Sequence, residues 1–302
     1  MASGPWVMLW LCEARASYLA RAPHRDLVTV VSPRILRWIL PGAVITVLLA
    51  LWSLAVHQGR APLMPSPWQV VVALGQLAAD GRLVRFTVAS LFRVSWGLAA
   101  AVLIALPFGV WLGWSHRAER ALGPALQLLR PISSLAWTPL AILWCGVGDL
   151  SAVFIIFMAC FGPLTVTALN GVRKVPAVHL QAGRNFGLST AQLVRRIVLP
   201  SALPQLLTGL RQTLGVAWMV VVMAEMMAVN SGLGFLILDA RNAGNRYDLV
   251  VAGMVIIGVV GLGLDRLLRR VERLPGLSWG FPAPSPSAAP VAPRLRLLRS
   301  QS

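Results

Sequence analysis

Between Gly171 and Gln205 the chain reads GVRKVPAVHLQAGRNFGLSTAQLVRRIVLPSALPQ, a polar stretch with apolar runs on both sides long enough to cross a bilayer. It carries Arg173, Lys174, Arg184, Arg195 and Arg196 and no acidic residue. Positive loops between spans stay on the cytoplasmic side. One segment therefore sets both class and orientation: an all-α polytopic membrane protein whose basic interruption faces the cytoplasm.

The interruption has its own punctuation. Pro176 forbids simple continuation of the preceding helix. His179 to Phe186 can form a short helix, with Leu180 and Gly183 near one side, and Gly187 stops it as a residue just past a helix end. Ser189 suits the N-cap of a second helix, Thr190 to Val198. Leu199-Pro200 and Pro204 are expected to end that helix and turn the chain back toward the membrane.

Composition excludes other classes. Of 302 residues, 57% are hydrophobic and 12% charged, more apolar surface than a soluble domain could hide. The net charge of +17 suggests nucleic acid at first sight. The arginines, however, sit beside apolar spans, where they set topology, so no nucleic-acid partner is expected. The sole lysine, Lys174, follows Arg173 and precedes Val175, so no phosphate-binding loop of the Gly-Lys-Ser/Thr type exists and any ATP hydrolysis must come from another polypeptide. Cys12, Cys145 and Cys160 are scattered, and His24, His57, His116 and His179 are isolated. No metal site, disulfide framework, cofactor site or catalytic constellation is expected, and the chain is not read as an enzyme.

Six spans are expected: Trp38–Val56, Phe86–Trp114, Pro124–Gly146 (broken by Pro131 and Pro139), Leu150–Gly171 (kinked at Gly162-Pro163), Leu206–Val229 and Asp248–Leu268. Residues 1–37 read as a cytoplasmic tail; Pro5 to Cys12 is too short to span and lacks the preceding basic region of a signal peptide. Residues 38–274 form the membrane domain, with its core at 86–272, and residues 275–302 a disordered cytoplasmic tail. Short helices are expected outside at Trp68–Leu77 and Phe235–Arg241, and Ser115 to Gly123 as an inside loop. With both termini inside, about 19 basic residues fall inside and about 5 outside. Gly258, Gly261 and Gly263 would permit close helix contact.

Gln181-Ala182-Gly183, Gly187 and Ile197-Val198-Leu199-Pro200 resemble the cytoplasmic loop of bacterial ABC-transporter permeases, E-A-A, three residues, G, nine residues, I-x-L-P. The distances match; Gln181 stands for the acid and Gly183 for the second alanine. Further stretches look like the nitrate/sulfonate/taurine branch: the Pro65-Ser66-Pro67 entry, Ser90 to Gly97, Arg130 to Gly148, Gly209-Leu210-Arg211, Ala224-Glu225 and Ser231-Gly232-Leu233-Gly234. The resemblance covers roughly residues 62–274. It implies a six-span permease of the bacterial inner membrane with a cytoplasmic coupling helix between spans four and five. It also implies a homodimer, two copies of an ATP-binding subunit and an external substrate-binding protein. The cargo would be a small anion of the sulfonate, taurine or nitrate type, moved inward; a vitamin precursor stays open. Gln181, Ala182, Gly183, Gly187, Ile197, Leu199 and Pro200 would form the ATPase contact.

Charges inside spans are costly. Arg93 lies about 10 Å and Glu225 about 6 Å from the outer ends of their spans, so the two can pair and brace an external gate. Ser133, Ser134, Trp137 and Thr138 at the prolines of span three, with Gln212, Thr213 and Trp218 of span five, are candidate pathway residues. Met223, Met226 and Met227 read as packing. A stand-alone channel or secondary carrier is the alternative, and a membrane scaffold or embedded enzyme a third class. The first two would call for internal repeats or midplane ionisable groups, the last for catalytic residues.

Overall fold

The computed structural model describes residues 33–59, 64–242 and 244–272, and these are helical with short connections. Residues 1–32 and 273–302, which hold nearly all of both expected tails, lie outside the described residues. The chain divides at Pro62. Before it stands one helix, α1 (Pro33–His57), whose apolar part is Gly42–His57. That part is about 24 Å long against a hydrocarbon thickness of about 30 Å.

The second unit begins with α2 (Pro67–Ala79). Ser66 caps it: its hydroxyl accepts from the Gln69 amide while the Gln69 side chain accepts from the Ser66 amide. Among the described residues four helices are long and apolar enough to span: α3 (Arg82–Trp114), α6 (Asp149–Arg173), the run Thr190–Ala228, and α11 (Tyr247–Glu272) over Tyr247–Arg270. A fifth crossing is available to a bent pair, α4 (His116–Leu129) and the stretch Ser134–Cys145, which meet at 90°. The latter is a 3-10 turn, Ser134–Trp137, followed by α5 (Thr138–Cys145).

Span three thus departs from expectation. The loop drawn over Ser115–Gly123 is helix from His116 on, because the Ser115 hydroxyl caps it by accepting from the Ala118 amide and His116 bonds Glu119 and Arg120 at helical spacing. Pro124 lies inside this helix instead of starting one. The break comes at Pro131, which has no N–H to continue α4, and Ser133 starts the next turn by accepting from the Leu135 amide.

α6 is the centre of the unit and packs along α3 on one side and the Thr190–Ala228 helix on the other. Lipid is as apolar as the core, so burial alone does not hold such helices together; close backbone approach does. The seams are accordingly lined with small residues, among them Ala101, Ala105, Ala152, Ala168, Ala202 and Ala224, all buried. Gly109 shows the tightness: a Cβ there would come within 2.6 Å of the Ala168 Cβ. Of the three glycines expected to serve this way in α11, only Gly261 has a neighbour, the Trp218 ring; Gly258 and Gly263 face open space.

The interruption folds into α7 (Ala177–Asn185), α8 (Thr190–Leu193), a π-helical turn (Val194–Val198) and α9 (Leu199–Ala228). Pro200 and Pro204 do not end the helix, which is unbroken from Thr190 to Ala228. Proline disrupts an α-helix because it lacks an N–H and its ring meets the carbonyl four residues back. The π turn widens the helix just before Pro200, with the Leu199 amide donating to the Val194 carbonyl, five residues back. α10 (Leu233–Asn242) then packs on α11 and α9. Met223 and Met227, expected to pack, are exposed on this chain.

Candidate functional site

Two constellations stand at opposite ends of the bundle. At one end, the beginnings of α3 and α6 meet the end of α9, where the Gly148 amide donates to the Ala228 carbonyl at 3.0 Å. Here Arg93 and Glu225 come together. The Arg93 Nη1 lies 2.7 Å from Glu225 Oε1, and the two side chains are 2% and 0% exposed. Such a pair is tolerated only if every remaining donor and acceptor is used, and these are. Arg93 Nε donates to Asp149 Oδ1 at 2.8 Å, Nη1 to the Ser231 carbonyl at 2.9 Å and Nη2 to the Ser231 hydroxyl. Glu225 Oε2 accepts from the Ser90 hydroxyl at 3.0 Å and the Gly234 amide at 2.9 Å. The Ser90 hydroxyl in turn accepts from the Leu233 amide at 2.9 Å.

The backbone explains the sequence of that turn. Gly232 has φ +102°, and a Cβ there would fall onto the Glu225 carboxylate. Four elements, α3, α6, α9 and the Ser231–Gly234 turn, are thereby tied to one guanidinium–carboxylate centre. Sequence reasoning found Arg93 and Glu225 but missed Asp149, Ser90 and Ser231. An acid following Gly146 and Gly148 at the start of an apolar span was a signal for the first.

At the other end, Val172, Val175 and Val198 form a buried cluster with Trp114, Leu180 and Ile197 packed on it. This seats α7 against the π turn and the ends of α3 and α6. α7 ends in a Schellman motif: the Gly187 amide donates to the Arg184 carbonyl at 2.9 Å and the Leu188 amide to the Gly183 carbonyl at 3.1 Å, with Gly187 at φ +74°. Ser189 and Gln192 form a reciprocal capping box. Gly183 is buried, and a Cβ on it would lie 2.5 Å from Ile197 Cδ1 and 2.7 Å from Leu193 Cδ2. That is the local reason for glycine where the resembling loop has alanine. Gln181, Ala182, Gly187 and Leu199 are exposed; Ile197 and Pro200 are half-buried. On α7 the apolar side chains of Val178 and Phe186 are 70% and 85% exposed. Arg173, Lys174, Arg184, Arg195 and Arg196 are exposed at this same end, Arg173 bonded to Glu119 and Lys174 to Gln205.

The pathway candidates divide. Ser133 and Gln212 are exposed, and Ser134 and Trp137 half-buried. Thr138 is buried, its hydroxyl without a partner among the described residues. Thr213 and Trp218 turn into the bundle instead. The Thr213 hydroxyl donates to its own helix at Gly209, and the Trp218 indole N–H donates to the Ile257 carbonyl at 3.1 Å. Arg211, expected only as an intramembrane charge, is matched by Asp265 at 2.8 Å and Glu272 at 3.5 Å, which fastens α9 to α11.

An all-helical bundle of apolar spans with a capped, basic helical elbow at one end defines a polytopic helical membrane protein. Residues 105–274 match the family model described as binding-protein-dependent transport system inner membrane component. The taurine transport system permease protein TauC of Escherichia coli (strain K12) is 37% identical over 240 residues, 77% of this chain and 86% of that protein. The nitrate import permease protein NrtB of Synechocystis sp. (strain PCC 6803) is 32% identical over 273 residues, 87% of this chain and 98% of that one. Among solved structures, an inward-facing form of the MetNI methionine ABC transporter aligns with TM-score 0.51 and 21% identity, over 61% of this chain and 94% of that chain, a likeness of fold. The chain belongs to the family of binding-protein-dependent transport system inner membrane components. It is therefore a transport permease of the inner membrane and not an enzyme, and its family implies an ATP-binding subunit and a substrate-binding protein as partners.

Proposed function

We propose that this chain is the membrane-spanning subunit of an ATP-driven importer that moves a small anion inward. The observation that carries this is α7: a helix capped at its C-terminus, seated by Gly183 on the π turn, with Val178 and Phe186 uncovered. An 85% exposed phenylalanine at the basic end of a membrane bundle is a contact surface. We assign it to an ATP-binding subunit, one for each copy of a permease homodimer. Closure of the ATP-binding subunits would push α7. Because the helix is continuous from Thr190 to Ala228, that push would travel along α9 without a hinge to Glu225. The Arg93–Glu225 centre would then hold or release the outer end, acting as the external gate.

The orientation follows the charge bias: the basic end is cytoplasmic, α1 is the first of six spans, and both termini are inside. Ser133, Ser134, Trp137, Thr138 and Gln212 are assigned to the pathway. The anionic group of the cargo rests on the relatives whose names specify nitrate, an anion, and taurine, a zwitterion that carries a sulfonate.

The test is uptake by proteoliposomes carrying the permease, its ATP-binding subunit and its binding protein. Accumulation of a small anion that requires internal-face ATP is expected. Equal transport without nucleotide would favour a channel or carrier and overturn the reading.

A further inference from the structure

Where α3 and α6 end and α7 is seated beside them, a hollow of about 320 Å³ stays open. Trp114 and Arg173, the last residues of α3 and α6, line it together with Leu180 and Arg184 of α7. Its floor is the buried cluster of Val172, Val175 and Val198. The 25 residues of α6 measure about 37 Å, against about 30 Å of hydrocarbon and about 40–45 Å with the headgroup layers. The end of α6, and the hollow with it, therefore lies at headgroup level. A guanidinium there keeps its water while its stem lies on apolar surface, so exposed arginines are what such a site requires.

The charge around the hollow is positive. Against Glu119 and the partial negative charge of the two helix ends stand Arg117, Arg120, Arg173, Lys174 and Arg184, all exposed. Glu119 bonds Arg173, whereas Arg184 forms no ion pair among the described residues. A basic surplus at headgroup level draws anionic lipid. The apolar side is as telling. Trp111 lies one turn deeper in the bilayer than Trp114, on the same side of α3. It is exposed, and its ring packs on Phe108 with centroids 5.9 Å apart. The three rings make a strip from the hollow toward the hydrocarbon centre. A free phosphate has no group to lay on that strip, and a carboxylate side chain of a soluble subunit stops at the arginines.

We propose that this hollow is a binding site for an anionic phospholipid. Arg184 and the free edge of Arg173 hold the phosphate oxygens, the glycerol lies over the valine floor, and an acyl chain follows Trp114, Trp111 and Phe108. So placed, the lipid fills the space between α7 and the ends of the spans beside it. The site needs only that α3 and α6 cross the membrane; it stands apart from the importer reading.

The test titrates the detergent-solubilised permease–ATPase complex with dioleoyl phosphatidylglycerol and counts bound lipid by native mass spectrometry. Dioleoyl phosphatidylcholine, dihexanoyl phosphatidylglycerol and glycerol 3-phosphate probe charge and chain. Saturable binding of the dioleoyl anionic lipid is expected, preferred about tenfold over phosphatidylcholine. Arg184→Gln is expected to weaken it about fivefold, the contribution of one arginine near an anionic lipid, and Arg184→Lys less. Trp111→Ala is expected to weaken the dioleoyl lipid more than the dihexanoyl one. Should Arg184→Gln fail to assemble, the Lys variant and the chain-length comparison on Trp111→Ala decide. Three results overturn the site. One is binding unchanged by the Arg184 and Trp111 variants. Another is displacement of the lipid by an equal concentration of glycerol 3-phosphate, which would make the occupant a free phosphate ester. The third is lipid held by the permease alone and expelled when the ATP-binding subunit is added, which would give Arg184 to that subunit.

Discussion

Arg93 and Glu225 meet at 2.7 Å although 132 residues of chain separate them. Nothing local brings them together; each arrives on its own helix, and the contact exists because α3 and α9 pack on α6 and on each other. Around that pair the Ser231–Gly234 turn supplies a carbonyl that accepts from Arg93 and an amide that donates to Glu225, so a charged centre sits in an apolar bundle without an unmatched group on either partner.

Breaking the pair from one side is expected to cost more than removing it whole. Arg93→Met leaves a buried carboxylate with only Ser90 and the Gly234 amide, a loss of about 3–5 kcal/mol. Arg93→Met combined with Glu225→Gln removes the uncompensated charge and is expected to recover part of that loss. Thermal unfolding of the detergent-solubilised protein checks this; a double variant less stable than both single ones would rule out the coupling.

Asp149 shares the guanidinium, yet its side chain is 57% exposed. Solvent screens that half of the arrangement, so Asp149→Asn is expected to cost under about 1 kcal/mol. The same unfolding measurement should rank it well below Glu225→Gln.

At Gly187 the constraint is conformational and not steric, since φ is +74° and a Cβ there would have nothing within 4 Å of it. Gly187→Leu is expected to strain the end of α7 by about 1–2 kcal/mol, leaving the protein inserted but uncoupling ATP hydrolysis from uptake. Gly187→Asn, which tolerates the left-handed region, is expected to retain more coupling. The ratio of anion moved to ATP hydrolysed is the readout, and an unaltered ratio in the Leu variant would remove the coupling role.

Gly183 presents the opposite case, a steric constraint in ordinary helix. Gly183→Ala pushes a methyl to 2.5 Å from Ile197 Cδ1, the far end of a flexible side chain. The expected cost is about 1 kcal/mol. Adding Ile197→Val deletes that methyl and should recover part of the loss, the approach to Leu193 Cδ2 at 2.7 Å remaining, as measured by thermal stability and by retention of the ATP-binding subunit on purification.

Orientation is open to labelling. Cysteine placed at Arg184 is expected to react with a membrane-impermeant thiol reagent only in inside-out vesicles, and cysteine at Asn230 only in right-side-out ones. The reverse pattern would place the elbow outside the cell and end the importer proposal.

Much was written in local patterns. Long apolar runs read as helices because lipid demands internal backbone hydrogen bonding. The Gly187 stop and the Ser189 cap were legible because capping is a short-range event, settled within four residues. Arg93 and Glu225 stood out because charge in an apolar span has few explanations. Local rules misled where a long-range or cooperative term intervened. Pro200 reads as a helix end, but a π turn absorbs its ring, and that register choice leaves no letter in the sequence. Pro131 reads as a break in span three, and the chain does break there, but the 90° angle between the two pieces leaves no letter either.

By itself, then, the sequence determined which segments are apolar, which end of the bundle is basic and where the elbow helix begins and stops, since each depends on neighbours in the chain. Only tertiary structure decided that Asp149, Ser90 and Ser231 complete the centre at Arg93 and that Gly183 must lack a methyl. Those facts depend on which helices approach one another and how closely, and packing between residues as far apart as Ser90 and Leu233, 143 positions along the chain, is what no local pattern encodes.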